Sequence, residues 1–262
     1  MARPLSAPGT LAQEFRQSWK ILAGATLGMA VGVHALPFYT AGLFMASLNV
    51  EFGWSRTEMS LGPTFLVAGL ALASPILGIL TDRFGERRLI IVGLAVLTLA
   101  LVMLSRIGGD IAHYYLLMGL MAFFASGTAT PTYSKIVSRR FDAARGTAIG
   151  IAMMGTALAT IAAPPVLEHI LTVEGWRAGY LAMAIFTGFS TPLIVLSLKN
   201  DRHVHNAARM AVQDDHRIAD ILKSETFWTL AASLFAVAIA APGLIIHFIP
   251  FLTDQGVSRV EA

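Results

Sequence analysis

Two histidines, His34 and His247, stand inside long apolar runs, away from the ends of those runs. An ionisable side chain in such a place is costly and is by default a candidate for substrate or proton handling. An imidazole can donate to a carboxylate, and its free pKa of about 6.5 suits proton carriage near neutral pH. The structural alternative is a neutral ring bonded to a backbone carbonyl. A second polar group is Thr128, Thr130, Pro131, Thr132 and Tyr133. Its hydroxyls, with Thr128 and Tyr133 as the substrate or proton candidates, either line a cavity or satisfy backbone groups that Pro131 releases. A third group is charged: Gly78-Ile79-Leu80-Thr81-Asp82-Arg83-Phe84-Gly85-Glu86-Arg87-Arg88. The run from Phe141 through Arg145 and Gly146 to Gly150 and Gly155 is a fourth.

None of these groups is a catalytic constellation. There is no phosphate loop, no zinc-binding helix motif and no Ser–His–Asp grouping with a common pocket. The absence of cysteine excludes thiolate catalysis, disulfides and Cys-ligated metal. His203, His205 and His216, with Asp214 and Asp215, lie in a polar stretch that reads as a solvated linker and not as a metal site. Neither an enzyme nor a cofactor nor a bound metal is expected.

The elements that must position these residues follow from composition. Of 262 residues 55% are apolar and 13% are charged, against roughly 25% charged in soluble domains. The net charge of +3 and pI of 9.4 do not point to nucleic acid, because the cations sit in short clusters between long uncharged stretches. A hydrocarbon core about 30 Å thick needs roughly 20 apolar residues of helix. Seven stretches meet that need: 19–48, 59–81, 89–105, 111–137, 146–171, 178–198 and 226–252. The first is long enough to bend at Pro37, and Pro164-Pro165 and Pro242-Gly243 are further bending points. None alternates as a barrel strand does. The expected fold is all-α and polytopic, with the lipid bilayer as its partner.

Lys and Arg set the orientation. Arg3, Arg16 and Lys20 precede span 1, and Arg83, Arg87 and Arg88 follow span 2. Lys135, Arg139, Arg140 and Arg145 follow span 4, and Lys199, Arg202, Arg209, Arg217 and Lys223 follow span 6. The opposite side holds Arg56, Arg106, Arg177 and Arg259. This asymmetry places the N-terminus in the cytoplasm. Trp19, Trp54, Trp176 and Trp228 all fall at expected span ends, where an indole prefers the headgroup layer. The first residues lack the apolar core of a signal peptide.

Two stretches offset by 203 residues share an acid, Gly, Ser, Arg and Glu in register, either as an internal repeat of the spans or as chance reuse of a common cap. Glu51-Phe52-Gly53-Trp54-Ser55-Arg56-Thr57-Glu58 recurs in register as Asp254-Gln255-Gly256-Val257-Ser258-Arg259-Val260-Glu261. Each copy is a capping box that opens a helix, Ser55 with Glu58 and Ser258 with Glu261. The expected organisation is a tail (1–18), a six-helix bundle (19–198), a polar loop between halves (199–224) and the first helix of an incomplete second half (225–262). The chain stops where an eighth helix is due.

The charged stretch Gly78–Arg88 resembles the G-x-x-x-D-R-x-G-x-R-R signature of the major facilitator superfamily, in the cytoplasmic loop where that family carries it. Gly78 there permits close helix approach. Asp82 accepts hydrogen bonds from neighbouring helix N-termini or from arginine, Gly85 permits a tight turn, and Arg83, Arg87 and Arg88 anchor the loop at the anionic leaflet. In the family this loop latches against the second half. Phe52-Gly53-Trp54-Ser55-Arg56, the run containing Arg145, Gly146 and Gly150, and Gly175-Trp176-Arg177 resemble bacterial members of the monocarboxylate carrier and oxalate/formate exchanger group. Eukaryotic monocarboxylate carriers place a substrate-linked lysine just after a helix 1 proline; this chain has Phe38 after Pro37. The resemblance implies an inner-membrane secondary transporter, monomeric at full length. It would move a small organic anion by alternating access, with a proton as the candidate co-substrate. The alternatives are a non-transporting remnant or membrane assembly partner, and a drug or sugar transporter of the same superfamily. A seven-helix retinal receptor would need a mid-span lysine, and Lys20, Lys135, Lys199 and Lys223 are all terminal.

Overall fold

The computed structural model describes residues 11–198 and 223–237. Among them the chain is helical and contains no strand. The helices are α1 (Leu11–Val31), α2 (Leu36–Phe52), α3 (Arg56–Phe84), α4 (Glu86–Leu104), α5 (Ile111–Phe124), α6 (Thr130–Ser138), α7 (Arg145–Glu174) and α8 (Trp176–Ser197), followed by α9 (Glu225–Val237). A single 3-10 turn, Ser126–Thr128, separates α5 from α6. Helices α1–α8 belong to one compact unit and α9 to a second.

Helices α3, α4, α7 and α8 are each long and apolar enough to cross a membrane, as is the segment Leu11–Phe52. They correspond to expected spans 2, 3, 5, 6 and 1. Span 4 is assembled in pieces from α5, the 3-10 turn and α6. Span 1 is likewise two helices, joined through Gly32–Ala35. The described part of α1 begins at Leu11, eight residues before the apolar run. The remainder of span 7, including Pro242-Gly243, lies outside the described residues, as do the polar loop histidines and the second capping box.

Both interruptions have the same cause. Proline lacks an N–H, and its ring clashes with the carbonyl four residues back. Pro37 and Pro131 therefore occupy the first turn of a new helix, α2 and α6, and the chain breaks before each of them. The bend expected at Pro37 is thus a break at Gly32–Ala35. Pro164 and Pro165, by contrast, lie within an uninterrupted α7.

Helix ends follow local chemistry. Ser55 and Glu58 form the expected capping box: the Ser55 N–H donates to Glu58 Oε2 at 2.8 Å, and the Glu58 N–H to Ser55 Oγ at 3.2 Å. Gly85 turns the chain from α3 to α4 at a φ of 82°, a conformation that a side chain disfavours.

Within the unit α3 packs on α5, α1 on α7 and α8, and α4 on α8. Close approach relies on small residues. A Cβ on Gly155 of α7 would fall on the Thr26 carbonyl of α1, and one on Gly69 of α3 on the Gly119 carbonyl of α5. The interior is lined by Leu94, Leu97, Leu101 and Leu104 of α4 with Tyr114, Met118 and Met121 of α5. Large apolar side chains also point outward, among them Leu72, Ile79, Ile161, Phe189 and Leu196, the last 77% exposed. Water would penalise such a surface, and hydrocarbon accepts it.

Candidate functional site

The breaks in spans 1 and 4 lie against each other, midway along the bundle. At the first, the amides of Ala35 and Leu36 both donate to the Gly32 carbonyl. The Val33 N–H leaves its own helix and donates to Thr128 Oγ1 of span 4 at 3.1 Å. The Thr128 hydroxyl in turn donates to the Ala125 carbonyl at 2.8 Å. A Cβ on Gly32 would collide with the Thr128 carbonyl, so glycine is what admits this contact. Both of Thr128's hydrogen-bonding roles are taken by backbone and the residue is buried. The hydroxyl thus satisfies backbone at both breaks, the Val33 N–H of span 1 and the Ala125 carbonyl of span 4.

Tyr133 is buried as well. Its ring lies against Gly28 of α1, where a Cβ would overlap it, and its hydroxyl has no hydrogen-bond partner among the described residues. Thr132 is buried beside it, and Pro131 is exposed.

His34 differs from both. It sits in the break, half-buried, with its ring stacked on Phe38 at 5.2 Å and 7° between planes. Tyr39 meets the His34 ring edge-on at 6.0 Å and Phe38 at 5.2 Å. Span 1 carries no Asp, Glu, Lys or Arg between Ile21 and Val50, so the imidazole is the basic group of this stretch. His247 lies outside the described residues.

Charged residues gather at the two ends of the bundle. At the arginine-rich end Asp82 pairs with Lys135 of α6 at 3.0 Å. Glu86, nearly buried, pairs with Arg139 at 2.6 Å and with Lys135 at 3.6 Å. Arg87 donates to the Val195 carbonyl of α8 at 3.2 Å, and Arg83 lies over the Phe84 ring at 5.3 Å. Arg88 is exposed. Asp82 was expected to engage a helix N-terminus or an arginine. Its partner is a lysine, because Lys135 and Arg139 lie one turn apart on span 4 and Glu86 takes the arginine. Gly78 has open space where its Cβ would stand, so among the described residues it supports no close helix approach. Gly146 and Gly150 also face open space. Arg145 pairs with Asp142 at 3.0 Å and donates to the Phe141 carbonyl at 3.3 Å.

Three connections, two at the ends and one beside the break in span 1, have no counterpart in the sequence reading. The Glu14 carboxylate of α1 accepts the backbone N–H groups of Asp142, Ala143 and Ala144 at 3.3, 3.1 and 3.1 Å, fastening the segment that leads into α7. At the opposite end Glu51 takes both terminal nitrogens of Arg177, at 2.9 and 2.7 Å, and the Trp176 Nε1–H at 2.6 Å. Thr156 of α7 reaches the Met29 carbonyl of α1 at 3.3 Å. The sequence carries Glu51 and Arg177 inside two separate motifs. Nothing in either motif says that they meet.

A helical bundle with paired breaks in its first and fourth spans, tied at both ends, agrees with what the sequence matches. Residues 27–262 match the Major Facilitator Superfamily. The chain belongs to that superfamily. As a superfamily member it is a multi-pass membrane protein. It is 26% identical over 255 residues to human monocarboxylate transporter 11, covering 93% of this chain and 51% of that protein. The mouse protein of the same name is 29% identical over 255 residues, with 93% and 54% covered. The oxalate:formate antiporter of Oxalobacter formigenes is 23% identical over 246 residues, with 93% and 57% covered. The superfamily fold is also seen in a peptide transporter solved with sulfate, at a TM-score of 0.57 and 18% identity over 96% of this chain and 52% of that one. The chain spans about half the length of the curated relatives it matches.

Proposed function

We propose that the protein is a secondary active transporter that moves a small organic anion, a monocarboxylate in the first instance, by alternating access. The observation that carries this reading is the half-buried His34 ring, placed in a mid-span break and flanked by Phe38 and Tyr39. A protonated imidazole there offers a carboxylate both charge and a donor, and the rings beside it offer the apolar part of the anion a surface to pack on. Phe38 follows Pro37, and the basic group of this stretch is His34, four residues earlier in the break. Because imidazole gains and loses its proton near neutral pH, the same residue couples anion movement to a proton. The relatives named monocarboxylate transporter and oxalate:formate antiporter support the substrate class. The end-to-end ties support a bundle that rocks as one body around a mid-membrane site. The excess of Lys and Arg in alternate loops favours a cytoplasmic N-terminus in the inner membrane. No reaction is performed on the solute.

Uptake by proteoliposomes carrying the full-length protein tests this. Labelled monocarboxylate is expected to enter saturably and to be displaced by other monocarboxylates, not by sugars or cationic drugs. His34→Ala is expected to lower uptake roughly 10- to 100-fold, the value of a hydrogen bond to a charged group, and to flatten its pH dependence. Wild-type pH dependence in His34→Ala would remove the proton role, and uptake of sugars or drugs in place of monocarboxylates would remove the substrate class.

A further inference from the structure

A continuous helix through span 1 would carry a hydrogen bond from the Val33 amide to the Met29 carbonyl, four residues back. That bond is not made. Each of its two ends is instead taken by a threonine from a different span. The Val33 N–H donates to Thr128 Oγ1 at 3.1 Å, and Thr156 Oγ1 donates to the Met29 carbonyl at 3.3 Å. Other threonine hydroxyls in these spans turn back onto their own helix: Thr26 to Leu22, Thr40 to Leu36, Thr98 to Leu94, Thr160 to Thr156 and Thr191 to Thr187. Among the described residues, Thr128 and Thr156 are the two threonines whose hydroxyls bond the backbone of another span.

Glycines make room for this arrangement. Gly32 precedes Val33 and lies on the Thr128 carbonyl. Gly127 precedes Thr128 and lies on the Leu89 carbonyl, while Gly155 precedes Thr156 and lies on the Thr26 carbonyl. A Cβ at any of these positions would meet backbone and push the spans apart.

We propose that Thr128 and Thr156 are positioning residues of a two-state joint in span 1. In the observed state they hold the Met29–Val33 turn open. In the other state the Val33 N–H donates to the Met29 carbonyl, and Thr156 turns back to the Ala152 carbonyl of its own helix, as the other threonines do. Each state makes two hydrogen bonds in place of the other's two, so the states are close in free energy and a small bias selects between them. The bend at Pro37 persists in both, because proline has no N–H to give. Closing the turn rotates the residues after Val33, and His34 is the first of them. The joint therefore presents or withdraws the imidazole, a consequence for transport that rests on the function proposed above.

The chain has no native cysteine, so Ala23→Cys and Ala46→Cys supply two unique spin-label sites, both exposed and outside the break. In a continuous helix their Cα atoms would be roughly 34 Å apart; the bend at Pro37 shortens that separation in both states, and an open joint shortens it further. Double electron–electron resonance on the full-length protein in nanodiscs reads the two populations. Thr128→Val with Thr156→Val is expected to raise the ratio of long to short distances about tenfold or more, whereas Thr128→Ser with Thr156→Ser keeps the wild-type distribution. If the double valine variant does not fold, Thr128→Val and Thr156→Val singly are each expected to give a smaller shift in the same direction. An unmoved distribution in folded valine variants overturns the proposal, and so does a serine variant that shifts as far as valine. The distance is read without solute. A shift in a protein that carries no monocarboxylate keeps the joint and removes the monocarboxylate reading. Uptake with an unmoved distance removes the joint alone.

Discussion

Gly155→Val is expected to destabilise the bundle by about 3 kcal/mol, at the upper end for an overpacked interior. A Cβ at this position would sit on the Thr26 carbonyl, and a backbone carbonyl cannot rotate away as a side-chain end can. Valine adds two methyl groups to that collision, so α7 must move off α1 along a major seam of the unit. The same displacement pulls Thr156 from the Met29 carbonyl. Gly155→Ala, which lacks the branched methyls, is expected to cost less and to keep the order glycine, alanine, valine. Thermal unfolding followed by size-exclusion chromatography of the purified protein measures this. An unchanged midpoint in Gly155→Val would show that the two helices are not in contact at this depth.

The second large effect belongs to Glu86. Its carboxylate is nearly buried at the arginine-rich end and faces Arg139 at 2.6 Å and Lys135 at 3.6 Å. Glu86→Ala leaves those two cations close together with only the exposed Asp82 to offset them. Removing the buried carboxylate leaves partly exposed cations that water screens, so the cost is about 2 kcal/mol, below that of a fully buried pair. Asp82→Ala is expected to cost much less, because Asp82 is exposed and its pair with Lys135 is screened by water. Parallel unfolding curves for the two variants separate these cases, and equal destabilisation would contradict the assignment of Glu86 as the centre of the network.

The spans were legible in the sequence because hydrocarbon leaves a chain few options: backbone groups must be satisfied internally, so long uncharged runs become helices. Local caps were legible for a similar reason. Ser55 and Glu58 meet because three residues of helix bring them together, and Gly85 takes a positive φ at its turn. Pro37 announced a bend, which falls as a break several residues earlier, where the ring meets the preceding carbonyls; the same residue type broke span 4 before Pro131 without notice and left α7 unbroken at Pro164-Pro165.

What was not legible is which span touches which. In a soluble helix an apolar stripe points to the core, but here both faces are apolar and periodicity loses that information. Glu51 and Arg177 are 126 residues apart, Glu14 and Ala144 are 130 apart, and Met29 and Thr156 are 127 apart. No spacing rule connects them. Thr128 illustrates the same limit from the other side: next to Pro131 a hydroxyl reads first as a backbone partner and second as a ligand group, but nothing in the sequence says that the backbone it meets is the break in span 1. Gly78 has its place in the signature, yet its Cβ position is open among the described residues.

On the proposed function, the break in span 1 faces water and an organic anion in the membrane interior. Because the chain lacks cysteine, a single His34→Cys substitution reports on that place alone. In membrane-embedded full-length protein the introduced thiol is expected to react with a water-soluble, membrane-impermeant thiol reagent, and a monocarboxylate is expected to slow the reaction while a neutral sugar does not. A thiol that stays unreactive, or one whose labelling a monocarboxylate leaves unchanged, would contradict a substrate site at this break.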